Sequence, residues 1–203
     1  MPVDIKGTFL KSFISDAEVI KSGATEYVNG ALHSQAIMGG KVYPEETCIE
    51  VILAIARYLY GDLSEQNLFK IGQLVARVNL HTMVAKAALR VMGGFMFSGP
   101  QFSTTFLNFL KRSIRSASPS LDIDVATPDI KTLIITFYDT KMPPKIFEGE
   151  WYEIFTFMGC TVQTSSLRHT SKVFSITIQA DSFKNMETFV REQAELSTTK
   201  TSE

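Results

Sequence analysis

What most constrains this chain is a change of hydrophobic period partway along it. Up to about residue 115 the apolar residues recur at helical spacing. From about residue 121 to 180 they alternate, in two paired runs separated by one helical stretch. Helices followed by hairpin, helix and hairpin do not supply the alternating units of a doubly wound parallel sheet. They define an α+β domain: an N-terminal helical layer packed on a four-stranded antiparallel sheet, closed by a C-terminal helix. A chain of 203 residues suits one such domain, expected over residues 1–196, with the polar stretch STTKTSE at 197–203 as a disordered tail.

The helical half reads segment by segment. Phe9, Leu10, Phe13 and Ile14 predict a helix over residues 7–14 or slightly beyond, and a weaker one follows over 24–36. Tyr43-Pro44-Glu45-Glu46 marks the next start, with proline in the first turn and two glutamates at the positive end of the dipole. That helix runs to about residue 60 with Cys48, Ile52, Ile55 and Leu59 on one stripe, and Gly61 closes it. Asp62 and Glu65 are spaced as a capping box for a helix that buries Leu68, Ile71, Val75 and Val78. Gly72 lies on the side where a neighbouring helix can approach closely. Further helices are expected over 81–92 and 103–114.

In the second half, Leu121, Ile123 and Val125 alternate with polar or small residues, and residues 131–138 are β-branched and aromatic. Phe147, Trp151, Ile154, Phe155 and Met158 form the stripe of a helix lying on a sheet. Residues 160–167 and 172–178 give a second hairpin, and Phe183, Met186, Phe189 and Val190 describe the final amphipathic helix.

Composition excludes several classes. Net charge is −1, from 20 basic and 21 acidic residues, so bulk electrostatics favours neither nucleic acid nor an anionic membrane. No apolar run reaches the ~20 residues that span a bilayer. Two distant cysteines, Cys48 and Cys160, and no secretion signal point to a reducing, cytoplasmic compartment. No GxSxG, HExxH or glycine-rich phosphate loop is present.

The element order resembles a ligand-binding fold shared by haem-dependent nitric-oxide sensors, 4-vinyl-reductase-like domains and TRAPP vesicle-tethering subunits. Within it, the chain is similar to a bacterial paralogous family of unassigned function expanded in myxobacteria. The resemblance is carried by Lys6-Gly7-Thr8, Val42-Tyr43-Pro44-Glu45, Gly72-Gln73-Leu74, Phe147-Glu148-Gly149 and Gly159. These are short, glycine-centred marks spread over residues 6–180, and they speak to fold more than to chemistry. The resemblance implies a domain that binds a small or greasy ligand or a partner protein, often as a homodimer. Two departures bear on cofactors. The Tyr-x-Ser-x-Arg motif that holds haem propionates in the sensors is missing, since Arg112-Ser113-Ile114-Arg115 does not match it. The cysteine cluster of the reductase-like domains is missing as well. Haem and zinc are therefore both disfavoured, and no cofactor is expected.

Candidate residues follow. Cys48 reads as a small buried hydrophobe or, by analogy with the acylated cysteine of TRAPP subunits, as a thiol lining an apolar cavity. Ile52, Phe95, Phe97, Trp151 and Phe155 are the further candidates for such a cavity. Lys111, Arg112 and Arg115 end a helix, where they complement its negative terminus or contact an anion at the cavity mouth. His81 reads as a packed or surface histidine before it reads as a metal ligand, because zinc needs three or four ligands. The expected function is a non-enzymatic cytosolic ligand-binding or regulatory domain for a small hydrophobic ligand or partner protein. The alternatives are a ligand-free dimerisation scaffold and an enzyme using Cys48 or His81.

Overall fold

The computed structural model describes residues 4–32, 37–80, 122–129, 132–157 and 161–180. Its order is β1 (Asp4–Lys6), α1 (Gly7–Ile20), α2 (Ala24–Ala31), β2 (Val42–Pro44), α3 (Glu45–Tyr60), α4 (Glu65–Leu80), β3 (Asp122–Asp129), β4 (Thr132–Tyr138), α5 (Pro144–Phe157), β5 (Val162–Arg168) and β6 (Val173–Ala180). The fold is α+β, as the change of period requires. The helices expected over 81–92, 103–114 and 183–194 lie outside the described residues. Among the described residues no helix is long and apolar enough to cross a membrane.

β3 to β6 form one antiparallel sheet in the order β3-β4-β6-β5. β4 pairs with β6, so α5 carries the chain from β4 to the edge position of β5, and the second hairpin returns to the middle. Leu133, Ile135 and Phe137 of β4 and Phe174, Ile176 and Ile178 of β6 are buried on one face. The period of two thus works as the alternation predicts. α5 lies over β5 and β6 and has α4 on its other side. Phe147 on α5 stacks on Phe137 and Phe174, with ring centroids 4.4 and 5.5 Å apart.

The α4–α5 contact depends on two glycines. A Cβ at Gly72 would lie 2.0 Å from the Ile146 carbonyl oxygen, and one at Gly149 would lie 2.0 Å from the Phe69 carbonyl oxygen. Each helix therefore rests its backbone on the other's glycine. The close approach expected at Gly72 is present, and its partner is α5. Around this crossing Glu153 joins α5 to α4 through Arg77 Nε at 2.8 Å and Gln73 Nε2 at 3.1 Å, while Phe69 packs on Tyr152.

The remaining helices build a core in which Leu10, Phe13 and Ala17 of α1 meet Cys48, Ile52 and Ile55 of α3 and Ile71 and Val75 of α4. Three details differ from the sequence reading. α1 continues past residue 14 to Ile20, because Ala17 remains on the buried stripe. Val42–Pro44 is a short strand paired with Asp4–Lys6 before it becomes a helix start. Asp62 does not form a capping box with Glu65; its Oδ1 accepts from Ser64 N–H and from Asn67, which is an Asx turn one residue ahead of the helix.

Gly72→Ala forces a methyl group into a carbonyl oxygen and should cost about 3 kcal/mol. Gly30→Ala, where nothing lies within 4 Å of the added carbon, should stabilise by roughly 0.5 kcal/mol. Urea unfolding midpoints moving in opposite directions would bear this out; equal shifts would refute the crossing.

Candidate functional site

The candidate cavity residues among those described lie on two helices. Cys48 and Ile52 lie one turn apart on α3 and are both buried in the N-terminal core. Trp151 and Phe155 lie one turn apart on α5, also buried but outside that cluster, with ring centroids 6.4 Å apart. They continue the stripe of Phe147, whose ring meets the sheet. Phe95, Phe97, Lys111, Arg112, Arg115, His81 and Cys160 lie outside the described residues.

Cys48 is held as a neutral thiol. Burial pushes its pKa up, and the carboxylates of Glu45 and Glu150 push it further. A thiol in that setting is a poor nucleophile and a poor metal ligand, because both roles need the thiolate.

The sequence reading passed over two buried carboxylates that tie the layers together. Glu45, in the first turn of α3, is only 5% exposed. Thr140 Oγ1 donates to its Oε1, and the Lys141 N–H lies 3.2 Å from both of its oxygens. Asp139, just before, adopts a left-handed φ of 55°, a conformation that aspartate tolerates better than most residues. That turn brings Thr140 inward, and Thr140 Oγ1 also accepts from the Met142 N–H. Beside it Lys141 Nζ meets Glu46 Oε1 at 2.6 Å. The loop after β4 is therefore bound to the start of α3. Glu148 is 4% exposed, accepts from Ser166 Oγ of β5 at 2.6 Å and pairs with Lys145 Nζ at 3.0 Å. It fixes α5 to the edge strand. A buried carboxylate needs such partners, since its solvation by water is gone.

The sequence marks have structural tasks, apart from Gly159, which lies outside the described residues. Gly7 leaves room for the chain that crosses it: a Cβ there would meet the Met38 carbonyl oxygen at 2.2 Å, and its N–H donates to the Lys41 carbonyl at 2.8 Å. Tyr43 Oη accepts from the Met38 N–H at 2.7 Å. Glu45, Gly72, Gln73, Glu148 and Gly149 act as described above. The signal for the buried carboxylates was available: Glu148 sits between Phe147 and Gly149, and two burial-prone neighbours flank a carboxylate that needs a partner.

With the geometry in place, the fold is an α+β fold consistent with that of H-NOX domains. Three solved structures illustrate it. The chain is similar to the Fe(II) unliganded H-NOX protein from K. algicida, with a TM-score of 0.63, 9% identity, and coverage of 88% of this chain and 97% of that one. It is similar to an I5F mutant of T. tengcongensis H-NOX at a TM-score of 0.58, 11% identity, and 88% and 98% coverage. It is also similar to an oxygen-binding H-NOX domain related to soluble guanylate cyclases at 0.60, 9%, and 88% and 96%. No family model and no curated protein matches. At these identities the likeness concerns the fold alone, and it agrees with the nitric-oxide-sensor part of the resemblance.

Haem is the group this fold implies, and the residues in view do not fit it. The chain contains no Tyr-x-Ser-x-Arg anywhere. Among the described residues, Cys48 is a buried neutral thiol, and His169 is exposed at the turn of the second hairpin, with Nε2 2.9 Å from Ser175 Oγ. Phe137, Phe147 and Phe174 stack in mutual contact, with centroids 4.4 to 5.5 Å apart, and leave no slot between them for a macrocycle.

Two predictions follow from the charges. Glu46 is held below the usual carboxylate range by Lys141, Glu18 by the N–H groups of Thr25 and Gly23, and Asp62 by the Ser64 N–H. The unfolded chain therefore binds more protons in acid, and stability present near neutral pH falls as pH drops through about 4 and below. The melting temperature should decline over that window, and Glu46→Gln should flatten the decline; a pH-independent profile is the contrary result. Separately, in a Cys160→Ser background, Cys48 should react with Ellman's reagent at pH 8 only on unfolding. Fast reaction of the folded protein would contradict the burial.

Proposed function

We propose that this chain is a non-enzymatic ligand-binding or regulatory domain that keeps the sensor fold and does without haem. The observation that carries this reading is the likeness over nearly the whole of those domains in a chain lacking their propionate motif. A second observation supports the non-catalytic part. Four chemically able side chains in view are committed: Glu45 to Thr140 and Lys141, Glu148 to Ser166 and Lys145, His169 to Ser175, and Cys48 to a buried neutral state.

The proposed ligand is a small hydrophobic molecule or an apolar partner segment, retained by burial worth about 25 cal/mol per Å². Cys48, Ile52, Trp151 and Phe155 are proposed as its lining together with Phe95 and Phe97, and Lys111, Arg112 and Arg115 as the contact for an anionic end. A cytoplasmic setting, a single domain over 1–196 and kinship with the myxobacterial paralogues belong to the same reading.

The test is native mass spectrometry of the protein purified from cells, with absorbance scanned for haem. The expected result is a bound apolar molecule released on denaturation, no haem spectrum, and a shift in emission of Trp151, the single tryptophan, on titration with a long-chain fatty acid. A haem spectrum would overturn the haem-free reading. Protein free of any bound molecule, with Trp151 emission unmoved, would overturn the ligand.

A further inference from the structure

The two edges of the main sheet are unlike. On β3 the Asp124 carboxylate accepts from the Val125 N–H at 2.8 Å, the register is interrupted between Ala126 and Asp129, and the strand contains Pro128. An acidic side chain, a bulge and a proline are all devices that keep another strand from adding. β5 has none of them. Its seven residues, VQTSSLR, pair with β6 in unbroken register, and among the described residues β6 is its one strand neighbour.

The hydrogen-bond alternation of β5 can be worked out. The His169 N–H donates to the Val173 carbonyl at 2.9 Å where the hairpin closes. In an antiparallel ladder such bonded pairs recur at every second residue. Leu167 opposite Ser175, Ser165 opposite Thr177 and Gln163 opposite Gln179 are therefore the bonded pairs. Thr164, Ser166 and Arg168 turn their backbone N–H and C=O groups away from β6, to an edge that no other described strand occupies. The strand is also held in place from beneath, because Ser166 Oγ is bound to buried Glu148. A preorganised edge loses less entropy when another strand joins it.

We propose that β5 is the site at which a second copy of this chain adds, antiparallel, about a two-fold axis at Ser165. The choice of occupant rests on self-complementarity, which a two-fold interface requires. With the axis at Ser165, the midpoint of β5, all seven residues overlap. Thr164 then faces Ser166 of the second copy, and the two outward-turned residues exchange their backbone bonds. Arg168, the one charged residue of the strand, falls opposite Val162 of the second copy, so no like charges meet. Leu167, 62% exposed in the single chain, is covered by the stem of Gln163 across the axis. The product is one continuous sheet, β3-β4-β6-β5 joined to its rotated copy. The closed β3 edges then lie at both ends, so association stops at the dimer.

Ser165 is exposed. In the dimer it faces its own counterpart. Sedimentation velocity of the full chain should show a dimer. Ser165→Lys and Ser165→Glu should each raise the dimer dissociation constant roughly tenfold or more by placing like charges face to face. An equimolar mixture of the two variants should restore the dimer as a heterodimer. Circular dichroism checks that each variant is folded. Should a charged variant lose structure, Thr164→Pro carries the same test, because the N–H it removes faces outward and proline is tolerated at such edge positions. A monomeric native chain, or a dimer indifferent to all three substitutions, would overturn the proposal.

Discussion

The rest of the structure depends on the direct seating of α4 on α5 at Gly72 and Gly149. Helix axes are normally kept apart by their side chains. Here each helix presents a bare backbone position to a carbonyl of the other, so α5 can sit between the helical layer and the sheet without pushing them apart. Once that spacing is set, Phe147 reaches Phe137 and Phe174 on one side, and Glu153 reaches Gln73 and Arg77 on the other. A methyl group at either glycine would disturb both layers together, because close-packed interiors transmit displacement.

Two buried carboxylates complete what the crossing begins. Glu45 binds the loop after β4 to the head of α3, and Glu148 binds α5 to β5. Buried carboxylates of this kind contribute less through net attraction than through the penalty for any arrangement that leaves them without partners. They therefore select one docking of helices on sheet from among several with similar apolar burial.

The likeness to H-NOX domains covers 88% of the chain at 9–11% identity. At that distance the likeness is one of backbone spacing and layer order. This chain holds its layers with glycines and buried carboxylate clamps, and its sequence has no Tyr-x-Ser-x-Arg.

Much of the architecture was legible because it rests on periodicity. The switch from 3.6 to 2 near residue 121, the stop at Gly61, and the stripe of Phe147, Trp151 and Phe155 are local patterns, and local patterns survive in a linear string. The candidate cavity was less legible, since its residues come from remote segments, Cys48 with Ile52 on α3 and Trp151 with Phe155 on α5, and the rest lie outside the described residues. The strand at Val42–Pro44 was hidden because its partner, Asp4–Lys6, lies far away along the chain. By itself the sequence determined which segments are helix or strand, which face of each is apolar, and that the sheet is antiparallel, because these follow from neighbours within a few residues. Only the tertiary structure decided that Gly72 and Gly149 seat α4 on α5, that Glu45 and Glu148 are buried and bound, and that β3 is irregular where it pairs with β4 while β5 pairs with β6 in unbroken register. Each of these depends on a contact between residues remote in sequence, and no local pattern encodes which remote residue will arrive.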